Sequence, residues 1–168
     1  GTTSNAYDDW KLTVTDAGGK TKDLTKDARG NLVQVDEYNG TSTYTTTYQW
    51  NGLGNLKKIT DALGNVRNFA YDNLGRRTFA EDLHAVSDVQ FSSSTYVYDS
   101  AGNMTSMVDG KGQTINHTFD DINRPLTEDY TGLGGTEVYY SYDTCAFGKG
   151  KLCFATTTDA VAGYAYDA

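Results

Sequence analysis

The sequence predicts an all-β chain: an open, twisted antiparallel sheet of consecutive hairpins, with roughly two strands in each ~23-residue repeat. Three observations carry this. An aromatic-x-aromatic-Asp unit recurs along the chain, and a Gly or Asn follows most of these Asp residues at a fixed offset. Thr- and Tyr-rich segments broken by Gly every few residues oppose a helix throughout. Evenly spaced strands also permit a closed sandwich or barrel, which is the competing architecture.

The units run in order as follows. Asp27-Ala28-Arg29-Gly30-Asn31-Leu32 is a degraded first copy, in which Leu24-x-Lys26 replaces the aromatic pair. Tyr48-x-Trp50-Asn51 leads to Gly54-Asn55-Leu56, and Phe69-x-Tyr71-Asp72 to Gly75-Arg76-Arg77. Tyr96-x-Tyr98-Asp99 leads to Gly102-Asn103-Met104, and His117-x-Phe119-Asp120 to Asn123-Arg124. Tyr140-x-Tyr142-Asp143 and Tyr164-x-Tyr166-Asp167 complete the series. The Asp or Asn positions 27, 51, 72, 99, 120, 143 and 167 are spaced by 24, 21, 27, 21, 23 and 24 residues.

Aromatic-x-aromatic sets two rings on one face of a strand, because side chains alternate with period two. Asp at the first turn position accepts a hydrogen bond from the backbone two residues on, and Gly at the fourth takes the left-handed conformation freely. Asn123 suits that slot better than other non-Gly residues. A second set of turns lies between: Asp16-Ala17-Gly18-Gly19, Asp61-Ala62-Leu63-Gly64-Asn65 and Asp109-Gly110-Lys111-Gly112. The six residues from Asn55 to Thr60 are a strand's length. Glu81 to Ser94 and Asp129 to Glu137 read as extended hairpins or loops. Residues 1–23 are expected to be lead-in or capping strands, and 24–168 the repeat array.

The 168 residues make about one domain. A formal charge of −8 opposes binding to nucleic acid or an anionic membrane, since the phosphate term is repulsive. Hydrophobic content is 38%, yet 13 Tyr supply surface to bury, so composition does not indicate disorder. No apolar run approaches the ~18 residues of a membrane span, and no basic-then-apolar leader opens the sequence.

Catalytic signatures are absent: no His-Glu-x-x-His, Gly-x-Ser-x-Gly, phosphate loop, dinucleotide fingerprint or Cys-x-x-Cys. His117 occupies an aromatic slot and reads as packing, and His84, in a loop, as solvent-exposed. The 18 Asp, with Asp8-Asp9, Asp120-Asp121 and Asp143 the best-clustered, read as turn residues rather than calcium ligands, because their offset to Gly already explains them. No cofactor is expected. The rings of Tyr48, Trp50, Phe69, Tyr71, Tyr96, Tyr98, Phe119, Tyr140, Tyr142, Tyr164 and Tyr166 pack against one another. The alternative is a glycan-gripping face, since Tyr and Trp beside Asn or Asp stack on sugars and bond their hydroxyls. Seven residues separate Cys145 from Cys153, so a local disulfide is sterically allowed, while a cytosolic protein would keep both reduced. Export would leave the two bonded, with Gly148 and Gly150 supplying the tight return.

Tyr71-Asp72-Asn73-Leu74-Gly75-Arg76-Arg77 and Tyr98-Asp99-Ser100-Ala101-Gly102-Asn103-Met104 resemble the RHS repeat, also called the YD repeat. The segment from Tyr142 to Cys153 resembles a bacterial variant with two Cys around a Gly-x-Gly-basic-Leu turn. The resemblance covers roughly residues 20–168. It implies an antiparallel sheet that spirals into a hollow shell, as in bacterial polymorphic toxins, the cocoon of insecticidal toxin complexes and the teneurin receptors. It further implies a non-catalytic wall or scaffold segment, secreted or on a cell surface, whose partners are further repeats or a toxin effector. The rival is an adhesion module for a glycan or cell-surface receptor. Seven repeats are too few to close a cocoon, and with Pro125 alone the Asp-Pro closing motifs are missing. The polar first copy suits a capping unit. The last copy stops before its Gly turn and is expected to leave an edge open to self-association.

Overall fold

A computed structural model describes residues 2–167 and divides the chain into two compact units, residues 1–93 and 94–168. The first unit contains β1 (Ser4–Asp8), β2 (Lys11–Thr15), β3 (Thr21–Lys26), β4 (Leu32–Asn39), β5 (Ser42–Trp50), β6 (Leu56–Thr60), β7 (Val66–Tyr71) and β8 (Arg77–Glu81). The second contains β9 (Ser93–Tyr98), β10 (Met104–Val108), β11 (Thr114–Phe119), β12 (Pro125–Tyr130), β13 (Val138–Tyr142), β14 (Leu152–Thr157) and β15 (Val161–Gly163). Within each unit every strand pairs antiparallel with its neighbours in sequence, so each is an open meander of hairpins. Among the described residues no helix is long and apolar enough to cross a membrane.

The two faces differ in character, as period-two alternation requires. On one face of the first unit, cross-strand register aligns Tyr7, Leu12, Leu24, Val35 and Thr46. Tyr48, Ile59 and Arg67 align further on, with Phe69 opposite Ala80. The opposite face aligns Thr13, Asp23, Asp36 and Thr45. Asp23 and Asp36 stand directly opposed, a destabilising pair of like charges. Donors compensate: Thr13 Oγ1 (2.6 Å), Lys11 Nζ (3.1 Å) and Tyr38 Oη (2.9 Å) reach Asp23, while Thr45 Oγ1 (2.6 Å) and Gln34 Nε2 (2.7 Å) reach Asp36. The Thr13 hydroxyl, then Tyr38 and Lys11, hold the buried Asp23 carboxyl below the usual range against the opposing pull of burial.

Among the described residues only Val66, Ala80 and Cys153 are buried apolar side chains. Side-by-side contact along the faces therefore takes the place of a second layer.

The register shifts once at each of the six repeat turns from Asp27 to Asp143. The shifts lie between Thr25 and Lys26, Gln49 and Trp50, Ala70 and Tyr71, Met104 and Ser106, Thr118 and Phe119, and Ser141 and Tyr142. Each marks a bulge, one extra residue that increases local twist. The second turn set lacks it: Thr15 pairs with Thr21 and Val14 with Lys22 in unbroken register.

Three local expectations change. The connection after Glu81 is not a free loop, because His84 bridges back to Val66 through two backbone bonds of 2.7 and 3.0 Å. Asn39 and Ser42 pair around Gly40-Thr41, a hairpin that the repeat spacing does not reveal. The last strand is Val161–Gly163 rather than the Tyr164–Tyr166 segment. Tyr164 N–H still reaches Cys153 O (2.9 Å), after which the chain is held by its rings instead of a ladder.

Candidate functional site

The repeat turns share one hydrogen-bond scheme. At Asp27 the backbone N–H donates to Asn31 O, and Gly30 N–H donates back to Asp27 O, both at 2.9 Å. Oδ1 accepts the N–H groups of Arg29 and Asn31, and Oδ2 accepts Asn31 Nδ2, each at 2.9 Å. Asp61 repeats this with Asn65, and Asp72 and Asp120 do so with the Nε of Arg76 and Arg124. Asp16, Asn51, Asp99 and Asp109 receive the same backbone bonds. Gly30, Gly54, Gly75 and Gly102 have φ between 79° and 97°, and Asn123 sits at 65°.

These carboxylates are thus occupied by their own turns. Side-chain donation from Asn31, Asn65 and Asn103 is the first cause holding Asp27, Asp61 and Asp99 below the usual range. At Asp120 the Arg124 backbone N–H leads, and at Asp143 the Arg124 side chain does. Burial opposes the shift at Asp72 and is outweighed by the backbone and side-chain donors of Arg76. Among the described residues no three His, Cys, Asp or Glu gather to hold a metal ion.

The turns also clamp one repeat to the next. Arg29 Nη1 donates to Gly52 O (2.9 Å), and Asn103 Nδ2 to Asn123 Oδ1 (2.8 Å). Arg124 Nη2 donates to Asp143 Oδ2 (2.8 Å), and its guanidinium lies 4.3 Å from the centre of the Tyr142 ring. Lys151 lies over Tyr166 at the same distance.

The bulges explain the second aromatic of the motif. Trp50 Nε1 donates to Leu32 O (2.8 Å), Tyr71 Oη to Leu56 O (2.9 Å) and Tyr166 Oη to Leu152 O (2.6 Å). Each acceptor is the residue just before a bulge, where the ladder is disrupted. A ring with a polar tip, supplied by the following repeat, provides the donor. Tyr48, Phe69, Tyr96, Tyr98, Phe119, Tyr140 and Tyr142 are also half-buried, and only Tyr164 of the motif rings is exposed.

Cys145 and Cys153 form a disulfide, with Cα atoms 5.5 Å apart and Cys153 fully buried at its bulge. This turn departs from the others. Asp143 itself takes φ 66° and accepts Gly150 N–H, and the loop between is longer.

His84 is not the exposed residue expected of a loop. It stacks on Phe91 with ring centroids 3.9 Å apart, and its ring nitrogens lie 2.9 Å from Ala85 O and 3.3 Å from Glu81 Oε2. The Ala85 carbonyl, then Glu81, raises its pKa. Glu81 is buried and accepts two donors from Asn68. His117 lies half-buried in its slot, 4.0 Å from Glu128 Oε2.

A groove of about 410 Å³ lies at the opposite turn edge of the first unit. One cross-strand row forms part of its lining: Val14, Lys22, Glu37 and Tyr44, aligned over β2 to β5. The repeat motif does not mark it. The available signal was Asn39-Gly40, a hairpin dipeptide.

Residues 27–62 and 50–78 match the sequence model of the RHS repeat. No curated protein sequence matches the chain. Among solved structures, the crystal structure of TcdB2-TccC3 without its hypervariable C-terminal region is similar over 93% of this chain, with 13% identity and a TM-score of 0.63. The full TcdB2-TccC3 structure is similar over 92%, with 18% identity and a TM-score of 0.57. A Photorhabdus luminescens Tc holotoxin pore carrying a TccC3 variant covers 92%, with 18% identity and a TM-score of 0.56. The chain spans 8–10% of the length of these proteins.

Proposed function

We propose a non-catalytic role for this chain, whose residues 27–62 and 50–78 match the RHS repeat: a wall segment of an RHS shell that encloses and delivers a toxin effector. The observation that carries this reading is the clamp between successive repeats. Rings, guanidiniums and turn amides are spent on joining each hairpin to its neighbour. A wall must grow by adding equivalent units, and such a device makes every unit both donor and acceptor. Similarity of fold to the TcdB2-TccC3 structures supports the same reading.

Its partners are then further RHS repeats and the enclosed effector, and its setting is an exported bacterial protein, where the Cys145–Cys153 bond persists. Residues 1–23 serve as lead-in strands to the array from Leu24 onward. The test is protease protection in the full-length protein that contains this chain. An enclosed segment should survive digestion until the shell is denatured. An effector cut equally fast before and after denaturation would overturn the proposal.

A further inference from the structure

One repeat turn departs from the shared scheme by a single atom. The turns at Asp27, Asp61 and Asp99 each carry Asn four residues on, and Oδ2 of the Asp accepts Asn31, Asn65 or Asn103 Nδ2 at 2.8–2.9 Å. The turn from Asn51 to Asn55 has the same backbone: Asn51 N–H donates to Asn55 O (2.9 Å), and Gly54 N–H to Asn51 O (3.1 Å). Its first residue is a carboxamide, so it has no second oxygen to offer Asn55. Asn55 Nδ2 is buried without a hydrogen-bond partner. Such a donor costs the turn its desolvation and returns nothing.

Asn51 is followed by Gly52, which has no side chain to shield its backbone nitrogen from the neighbouring carboxamide. The folded turn favours reaction between the two. Among the described residues nothing accepts the Gly52 N–H, so that nitrogen gives up no bond. Arg29 Nη1 donates to Gly52 O (2.9 Å), which sets positive charge beside the nitrogen that must shed its proton. Asn51 Oδ1 already accepts the N–H groups of Leu53 (3.0 Å) and Asn55 (2.9 Å). Two fixed donors at these distances stabilise negative charge as it grows on that oxygen.

We propose that Asn51 is a self-modification site, at which loss of ammonia leaves an aspartate that completes the turn. The Gly52 nitrogen bonds to Asn51 Cγ, the Cγ–Nδ2 bond breaks, and Nδ2 leaves as ammonia with the proton from Gly52. Water then adds to the resulting cyclic imide at Cγ. The Cγ–nitrogen bond breaks, the Gly52 nitrogen recovers a proton from the water, and Cγ keeps its oxygen as a carboxylate. One water is consumed and one ammonia released, with no oxidant or reductant. The imide offers water two carbonyls. Oδ1 has two donors and the main-chain oxygen has one, the Gly54 N–H, so attack is directed to Cγ and yields aspartate rather than isoaspartate. The new Oδ2 then meets Asn55 Nδ2, as Asp27, Asp61 and Asp99 meet their own Asn.

The inference does not rest on the wall reading, because the chemistry is confined to one turn. The test incubates the folded chain at mildly alkaline pH and maps it by peptide mass spectrometry, with fragmentation that separates aspartate from isoaspartate. Conversion is expected at Asn51, with aspartate the main product. Gly52→Ala, whose added Cβ meets open space, should slow it at least tenfold. In an Asn51→Asp chain the Asn55 carboxamide protons should exchange at least tenfold more slowly than in the unmodified chain. Its urea midpoint should also rise, a gain that Asn55→Ala should abolish. Three results overturn the proposal: an Asn51 that persists in the folded chain after the urea-unfolded chain has converted, isoaspartate as the main product at residue 51, or unslowed exchange at Asn55 in the Asn51→Asp chain.

Discussion

Gly148 offers the sharpest test of how the disulfide turn is built. It is buried, and a Cβ there would lie 2.3 Å from Cys145 Sγ, 2.7 Å from Cys153 Sγ and 2.9 Å from Cys145 O. Carbon contacts relax near ~3.5–4.0 Å, so all three approaches are about an ångström too close. The obstructing atoms cannot swing away, because two belong to a closed disulfide and one to the backbone. Overpacking of this kind costs ~1–3 kcal/mol and sometimes more. Gly148→Ala has one alternative, which is to open the disulfide. With a sequence separation of 8, chain-entropy closure contributes about 2.5 kcal/mol. The overpacking loss falls on the oxidised form alone, so the equilibrium for forming the bond in a glutathione buffer should fall by about 5- to 140-fold. Thiol alkylation with mass spectrometry reads that equilibrium directly. Under full reduction Gly148→Ala should be nearly neutral, since free thiols can rotate out of its way. An oxidised variant with wild-type closing equilibrium would refute the reasoning.

Further outcomes follow from the clamps. Tyr71→Phe removes the donor to Leu56 O and should cost about 1 kcal/mol in urea unfolding, with a change under ~0.3 kcal/mol counting against the bulge-filling role. Arg124→Ala frees Asp120, Asp143 and the Tyr142 ring together, so amide exchange across residues 143–151 should quicken at least tenfold. Arg124→Lys should not restore protection, because a point charge cannot bridge two carboxylates as a planar fork does. Acid should act through Asp27, Asp61, Asp72, Asp99, Asp120 and Asp143. Their folded pKa values are lowered, so their contribution is present above the ordinary value of 3.8 and lost as pH falls through the depressed values. His84 has the opposite sign: raised from 6.5, it stabilises fully below that value and loses its contribution as pH rises through the folded pKa. Urea midpoints across pH should therefore be highest between about 4 and 6.5. A midpoint that falls steadily from pH 6 to pH 4.5 would contradict both assignments.

The sequence carried the turns almost completely, because an Asp–Gly offset is local chemistry that needs no tertiary partner. Strand conformation followed from the ring spacing, since Tyr48 and Trp50 share a face when two residues apart in a strand. The bulges were not legible. Nothing in Val33, Lys57 or Cys153 marks it as the extra residue, because the position is set by the neighbouring strand. The fate of the second ring was hidden for the same reason: Trp50 meets Leu32 only once the register is fixed. His84 was misread because its partners, Glu81, Ala85 and Phe91, gather through a bridge to Val66 that no periodicity announces. The groove was not legible because only what recurs stands out in a repeat, and the β4–β5 overhang from Tyr38 to Tyr44 has no counterpart in the motif.

The ring-to-carbonyl bonds have a direction. Trp50, Tyr71 and Tyr166 each reach back to a carbonyl made earlier in the chain, 14 to 18 residues before. For these bonds a newly made hairpin therefore meets its acceptor already in place, while the Arg29, Asn103 and Arg124 clamps close when the next repeat arrives. Short-range closure of this kind favours fast, stepwise ordering. It sets a vector on assembly: folding advances from the N-terminal side, one repeat at a time, and a stalled chain leaves behind a finished stretch rather than a collapsed one. A sheet that fixes each row before the next is synthesised can lengthen without exposing a long unpaired β surface to aggregation.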